Sequence, residues 1–128
     1  MLFRSSEAAA APRTGAALAQ VRAAAEQVAA ASDRACIVHG DLVHANILDG
    51  AQLWLLDWEY AQLADPIYDA GCVLAYYPEA QPHAARLLEA TGLAGPEHAA
   101  RLHAAIRVYQ GLTWLWHQAR LGAAGAGR

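Results

Sequence analysis

An Asp49-Gly50 pair separates two short apolar runs, Ile47-Leu48 and Leu53 to Leu56, and no other feature fixes the path of this chain so tightly. Asp-Gly between β-prone runs is a hairpin signal, because glycine adopts the positive φ of a turn that matches strand twist. The surrounding stretch, "IVHGDLVHANILDGAQLWLLDWEYA" from residue 37 to 61, is mostly apolar yet carries Asp41, Asn46 and Asp57. A core strand gains nothing from an unpaired carboxylate, whose burial is costly. Reversal at Asp49-Gly50 runs the second strand back past Asn46. The Asp57 carboxylate is thereby brought towards the Asn46 amide and the loop that holds Asp41.

Composition limits what such a cluster can serve. At 128 residues the chain is one domain at most, and a domain of this length buries roughly two thirds of its unfolded surface. Much of the 56% hydrophobic content is alanine, so the core is smaller than that figure implies. Charged residues make up 16% and the net charge is -3, which argues against disorder. The nine basic residues are all arginine and stand singly, so no basic stripe marks a nucleic-acid partner. No apolar run reaches the ~18 residues of a membrane span, and the N-terminus lacks the apolar segment of a secretory signal. Cys36 and Cys72 lie in apolar stretches without metal-ligand spacing. They read as reduced thiols of a cytoplasmic protein.

The remaining pattern is helical. A leader over residues 1–13 reads as disordered. Leu18, Val21, Ala25 and Val28 then fall at helical spacing, with Arg22 and Glu26 paired on the other face, which predicts a helix from Thr14 to Ala31. A strand over Ala35 to Val38 precedes the hairpin. "ADPIYDAGCVLAYYP" predicts a helix with Asp65 as N-cap, Pro66 at the first helical position and Pro78 as its stop. A short helix follows from His83 to Ala90, closed by Gly92. From Pro96 a long helix, interrupted at Gly111, carries Leu102, Ile106, Tyr109, Leu112 and Trp116 on one broad face. The tail over residues 122–128 reads as disordered. The fold class is therefore mostly α with a small β-hairpin, an α+β domain over residues 14–121.

Oxygen ligands from a loop and two strand ends suit a hard cation such as Mg²⁺, which takes few protein ligands and leaves room for phosphate and water. Asp41, five residues before Asn46, remains free to accept a hydroxyl proton. Phosphoryl transfer needs these two elements together. At this point a resemblance appears. His39-Gly40-Asp41, with four residues and then Asn46, resembles the H-x-D-x-x-x-x-N catalytic loop of the kinase superfamily. "LLDWEYA" at 55 to 61 resembles the segment that stands for D-F-G in the aminoglycoside phosphotransferase and choline kinase family. "ADPIYDAG" resembles the Asp-Pro-x-x-Asp stretch that follows it there. The chain thus looks like the C-terminal lobe of that protein-kinase-like fold, with a catalytic loop at 39–46 and a metal segment at 57–60. The Asp-Trp-Glu wording leans to the choline, ethanolamine and thiamine kinase branch.

The resemblance implies Asp41 as catalytic base, Asn46 and Asp57 as Mg²⁺ ligands, and His39 and Asp69 as supports of the loop. ATP is the implied phosphate donor, and an alcohol group of a small cationic substrate the acceptor. From Ala90 to Arg128 the only acidic residue is Glu97, whereas Tyr109, Trp114 and Trp116 offer ring faces suited to one cation. Glu59, Tyr109 and Trp116 are accordingly the substrate-binding candidates, although Thr113 stands where the choline kinases would place another aromatic. The family sets a nucleotide-binding lobe with a Lys–Glu pair before this loop. Here 38 residues precede His39 and the chain has no lysine. It reads as an incomplete lobe, implying pairing with a nucleotide-binding lobe or a second copy. The alternatives are a non-catalytic binding or regulatory module, an aminoglycoside phosphotransferase and, further off, a metal-dependent hydrolase. A transition-metal set of His39, Asp41 and His44 is disfavoured by the lack of further His or Cys nearby.

Overall fold

The computed structural model describes the backbone of residues 4–126 and the side chains of residues 13–126. Its order is α1 (Arg4–Ala30), β1 (Cys36–Val38), β2 (Ile47–Asp49), β3 (Leu53–Leu55), β4 (Gln62–Ala64), α2 (Ile67–Tyr76), α3 (Ala84–Ala90) and α4 (Ala99–Ala126). Short 3-10 turns over His44–Asn46, Pro78–His83 and Pro96–His98 join them. The fold is mostly α with two small antiparallel strand pairs, consistent with a kinase-like C-terminal lobe.

Helix α4 is the spine, and α1 and α2 both pack along it. Val28, Ile67, Ala70, Leu74, Leu102, Ala104, Ala105 and Ile106 form the main core. Val21, Ala24 and Val108 continue it between α1 and α4. Gly71 sets the closest approach of α2 to α4, since a Cβ there would meet the Ala105 Cβ at 2.6 Å and its carbonyl carbon at 2.9 Å. Only hydrogen fits. Where α2 meets the start of α4, the buried Asp65 and Arg101 form an ion pair, and Ser32 Oγ donates to the same Asp65 carboxylate at 2.7 Å. Asp65 Oδ1 also accepts the Ile67 N–H at 3.0 Å, so this carboxylate caps α2 as its sequence predicts.

Several expectations are corrected. Helix α1 begins at Arg4, not near Thr14, and α4 runs to Ala126 through the stretch read as a disordered tail. The alanines from Ala8 to Ala11 and at 123, 124 and 126 favour helix without marking an apolar face, and the helices continue in spite of Pro12, Gly122 and Gly125. Residues 1–3, 127 and 128 lie outside the described residues. Gly111 does not break α4; it faces Val21 of α1. The strands form two separate pairs rather than one hairpin. Strands β2 and β3 pair as predicted, with Leu48 opposite Trp54, but β1 pairs with β4, placing Ile37 opposite Leu63. Strand β4 has too little apolar patterning to be recognised alone.

Candidate functional site

The loop from His39 to Asn46 is held from below by α2. Asp69 accepts the His39 N–H on Oδ2 at 2.8 Å and the Gly40 N–H on Oδ1 at 2.9 Å. Gly40 makes this turn at a φ of 81°, in the left-handed region, with a hypothetical Cβ 3.0 Å from the Tyr60 carbonyl oxygen. His39 is buried, and both ring nitrogens are used. Nε2 donates to the Leu56 carbonyl at 2.7 Å, and Nδ1 accepts the Asp41 N–H at 3.2 Å. A carbonyl can only accept and an amide N–H only donate, so these partners set the proton on Nε2. Trp58 tilts against the same imidazole with ring centroids 4.7 Å apart. His39 therefore joins the loop to the residue just before Asp57. With both nitrogens committed it cannot be a metal ligand. Among the described residues no group of three His, Cys, Asp or Glu side chains is placed to hold a metal.

Asn46 connects the loop to the hairpin. Its Nδ2 donates to the Asp41 carbonyl at 2.8 Å and to Asp41 Oδ2 at 2.9 Å. Its own carbonyl accepts the Leu56 N–H at 2.8 Å, extending the β2–β3 register by one residue. Asn46 and Asp57 thus occupy neighbouring backbone positions at the end of the hairpin that carries Asp41. Asp57 is exposed and is the non-glycine residue with positive φ, 55°, among the described residues. An L-residue here costs roughly 1–2 kcal/mol, and Asp tolerates it better than most. With Nδ2 of Asn46 bound to Asp41, its Oδ1 is left for a ligand, and the side-chain oxygens of Asn46 and Asp57 are of the donor type that a hard cation takes.

Asp41 opens onto a cleft of about 560 Å³ whose walls include Glu59, Tyr76, Tyr109, Thr113 and Trp116. All three substrate-binding candidates from the sequence line this one cleft with Asp41. They differ in depth, because Tyr109 is only 8% exposed whereas Trp116 is 52% exposed. Burial holds the Tyr109 hydroxyl far above its ordinary titration range, so it stays a neutral phenol. Arg120 already lies over the Trp116 ring, 4.7 Å from its centroid. Thr113 is not idle: its Oγ1 shares a hydrogen bond of 2.9 Å with the Tyr76 hydroxyl across the cleft wall. A wider groove of about 920 Å³ between α1 and α4 is lined mainly by alanines and glutamines and holds no carboxylate. Arg13 lies in that groove and not beside Asp41.

Two contributors escape sequence reasoning. The Leu56 carbonyl, which orients His39, has no side-chain signature. Cys72 reads as an inert thiol, yet its Sγ accepts the Leu42 N–H at 3.3 Å. Burial pushes this thiol up to about 12. Its one legible signal is the three-residue spacing from Asp69 on the same helix.

The chain matches the model of the phosphotransferase enzyme family, APH, over residues 3–113. It belongs to that family. No solved structure matches the chain.

Proposed function

We propose that this chain is the acceptor-binding and catalytic lobe of a kinase-type phosphotransferase, passing the γ-phosphate of ATP to an alcohol group of a small cationic molecule. Family membership supports phosphotransfer as the chemistry. The observation that carries the residue roles is Asn46, hydrogen-bonded to Asp41 through its side chain and to Leu56 through its backbone. That double tie joins Asn46 to Asp41 and to the residue before Asp57, which supports reading the three as one site.

In this reading Asp41 Oδ1 accepts the proton of the acceptor hydroxyl, because Oδ2 is occupied by the Asn46 amide. Asn46 Oδ1 and Asp57 would hold Mg²⁺, which when bound neutralises phosphate charge and draws the phosphates into line. His39 and Asp69 keep the loop rigid, so the carboxylate is poised before substrate arrives. Glu59 offers negative charge, and Tyr109 and Trp116 ring faces, to the cationic end of the acceptor. Choline, ethanolamine and thiamine have this chemistry. An aminoglycoside is equally compatible with the family. A non-catalytic module is the second reading, favoured by a cleft whose walls hold two carboxylates and no lysine or arginine.

The test is to titrate choline, ethanolamine, thiamine and an aminoglycoside into the chain, and to assay each with Mg-ATP beside an Asp41→Asn control. Saturable binding of one class supports the cationic-acceptor assignment, and any turnover detected, by the chain or by an assembly that contains it, must be lost in the control. Binding without turnover in any assembly favours the non-catalytic module, and no binding by any of the four sinks the cationic-acceptor assignment.

A further inference from the structure

Four successive backbone N–H groups, those of His39, Gly40, Asp41 and Leu42, are each accepted by a side chain. Asp69 takes the first two, His39 Nδ1 the third and Cys72 Sγ the fourth. Asp69 and Cys72 stand three apart on α2, so one face of one helix presents both acceptors. Cys72 is fully buried, and α2 cannot shift towards α4 because Gly71 already touches Ala105. The sulfur therefore sits at a fixed place beneath the loop.

The peptide group joining Asp41 to Leu42 is thereby held on both edges. Its carbonyl accepts the Asn46 side-chain amide at 2.8 Å and the Val43 N–H at 2.9 Å, while its N–H goes to Cys72. Removing the sulfur leaves that N–H with no acceptor among the described residues, and a partly buried donor without a partner is costly. Rotation of the peptide plane towards water then relieves the loss. Because the same plane carries the Asp41 carbonyl, rotation also disturbs the Asn46 bond that orients the Asp41 carboxylate.

We infer that Cys72 is a positioning residue for Asp41, acting through the Leu42 N–H and not by contact with substrate. The inference rests on the reading of Asp41 as the reacting carboxylate, but its geometry can be tested without turnover. Cys72→Ala deletes the acceptor, Cys72→Ser restores one, and Cys72→Val fills the volume without an acceptor should Ala perturb the fold.

The experiment is NMR amide exchange on the 128-residue chain, with the Asn46 side-chain NH₂ signals as a second readout. In wild type the Leu42 amide is protected and the two Asn46 Nδ2 protons are distinct and slow to exchange. In Cys72→Ala, or Cys72→Val in its place, Leu42 exchange should rise about tenfold or more, the loss of roughly one hydrogen bond. The Asn46 signals should move towards those of a free amide, with the α2 amides unchanged. Cys72→Ser should recover both. Unaltered Leu42 exchange in the Ala and Val variants overturns the inference. So does a Ser variant that behaves like Ala, since volume alone would then explain the effect. Failure of the functional reading looks different: no acceptor binds, while Leu42 keeps its Cys72-dependent protection.

Discussion

The carboxylate of Asp69 spans 30 residues of sequence to accept the His39 N–H at 2.8 Å, and its second oxygen takes the adjacent Gly40 N–H. One side chain thus caps the start of the loop that carries Asp41. Hydrogen bonds to a charged acceptor are roughly twice as strong as neutral ones. Asp69→Ala should therefore destabilise the chain by about 2–4 kcal/mol, with Asp69→Asn intermediate because its amide can replace only one acceptor. Urea denaturation measures this. A loss below about 1 kcal/mol would show that water replaces the carboxylate and that the loop does not depend on it.

The two aromatic candidates on α4 are separable by burial. Tyr109 is 8% exposed and touches the core, whereas Trp116 is 52% exposed at the rim of the cleft. Tyr109→Ala should cost about 3 kcal/mol of stability, in the range for large buried rings. Trp116→Ala should leave stability within about 0.5 kcal/mol and weaken a choline-like ligand by about 1–2 kcal/mol. Paired denaturation and ligand titration read both quantities. Unchanged affinity in Trp116→Ala would remove the ring from the acceptor site and leave Glu59 to meet the cation.

Alkaline stability follows from Cys72. Its thiol is raised from an ordinary 9.0 to about 12 by burial, with neighbouring Asp69 and Asp41 acting in the same direction. Below pH 9 folded and unfolded chains both keep the proton, so the contribution is fully present. Above it the unfolded chain releases the proton first and the folded state loses ground, by at most about 1.4 kcal/mol per pH unit, until the folded thiol also titrates. Tyr109, raised in the same sense, adds to the fall above its ordinary 10.0. The denaturation midpoint of wild type should drop relative to Cys72→Ser as pH is raised from about 8 to about 10.5. Parallel curves would mean that the thiol is open to solvent.

The sequence revealed some of this fold more readily than the rest, for identifiable physical reasons. The Asp49-Gly50 hairpin and the Asp65 bond to the first amide of α2 are local patterns found where their spacing predicts. The apolar face of α4 is buried at Leu102, Ile106 and Tyr109 but exposed at Leu112 and Trp116. Asn46 and Leu56, the residue before Asp57, meet because a hairpin pairs positions at either side of its turn, and the Asn46 side chain ties that end to Asp41. The β1–β4 pair joins segments separated by a whole loop, and three-residue strands carry too little periodicity to announce their partners. Helix α1 extends through alanines that mark no face. The Cys72–Leu42 bond and the positive φ of Asp57 depend on where α2 and the hairpin come to rest. No neighbouring residue encodes that.

The last prediction concerns the exposed apolar pairs on the strands. Ile37 and Leu63 lie opposite each other on β1 and β4 and are 70% and 75% exposed; Leu48 and Trp54 lie opposite each other on β2 and β3 and are 52% and 56% exposed. Large apolar cross-strand pairs this exposed are the kind of surface feature that can mark an interaction site. In the proposed reading Asp41, Asn46 and Asp57 would accept proton and metal, but the lining of the Asp41 cleft includes no lysine or arginine to neutralise phosphate, and the chain has no lysine. Catalysis of phosphoryl transfer is mostly positioning and charge stabilisation, and good positioning alone is worth ~7–11 kcal/mol. The isolated 128-residue chain should therefore bind Mg-ATP weakly, show negligible transfer, and self-associate through these pairs. Sedimentation should give a concentration-dependent mass that falls to the monomer when Leu63→Lys and Trp54→Lys are combined, without loss of helical circular dichroism. Calorimetry and an ATP-turnover assay complete the measurement. A wild-type monomer at every concentration would overturn the self-association, and micromolar ATP affinity with steady turnover would overturn the predicted inactivity.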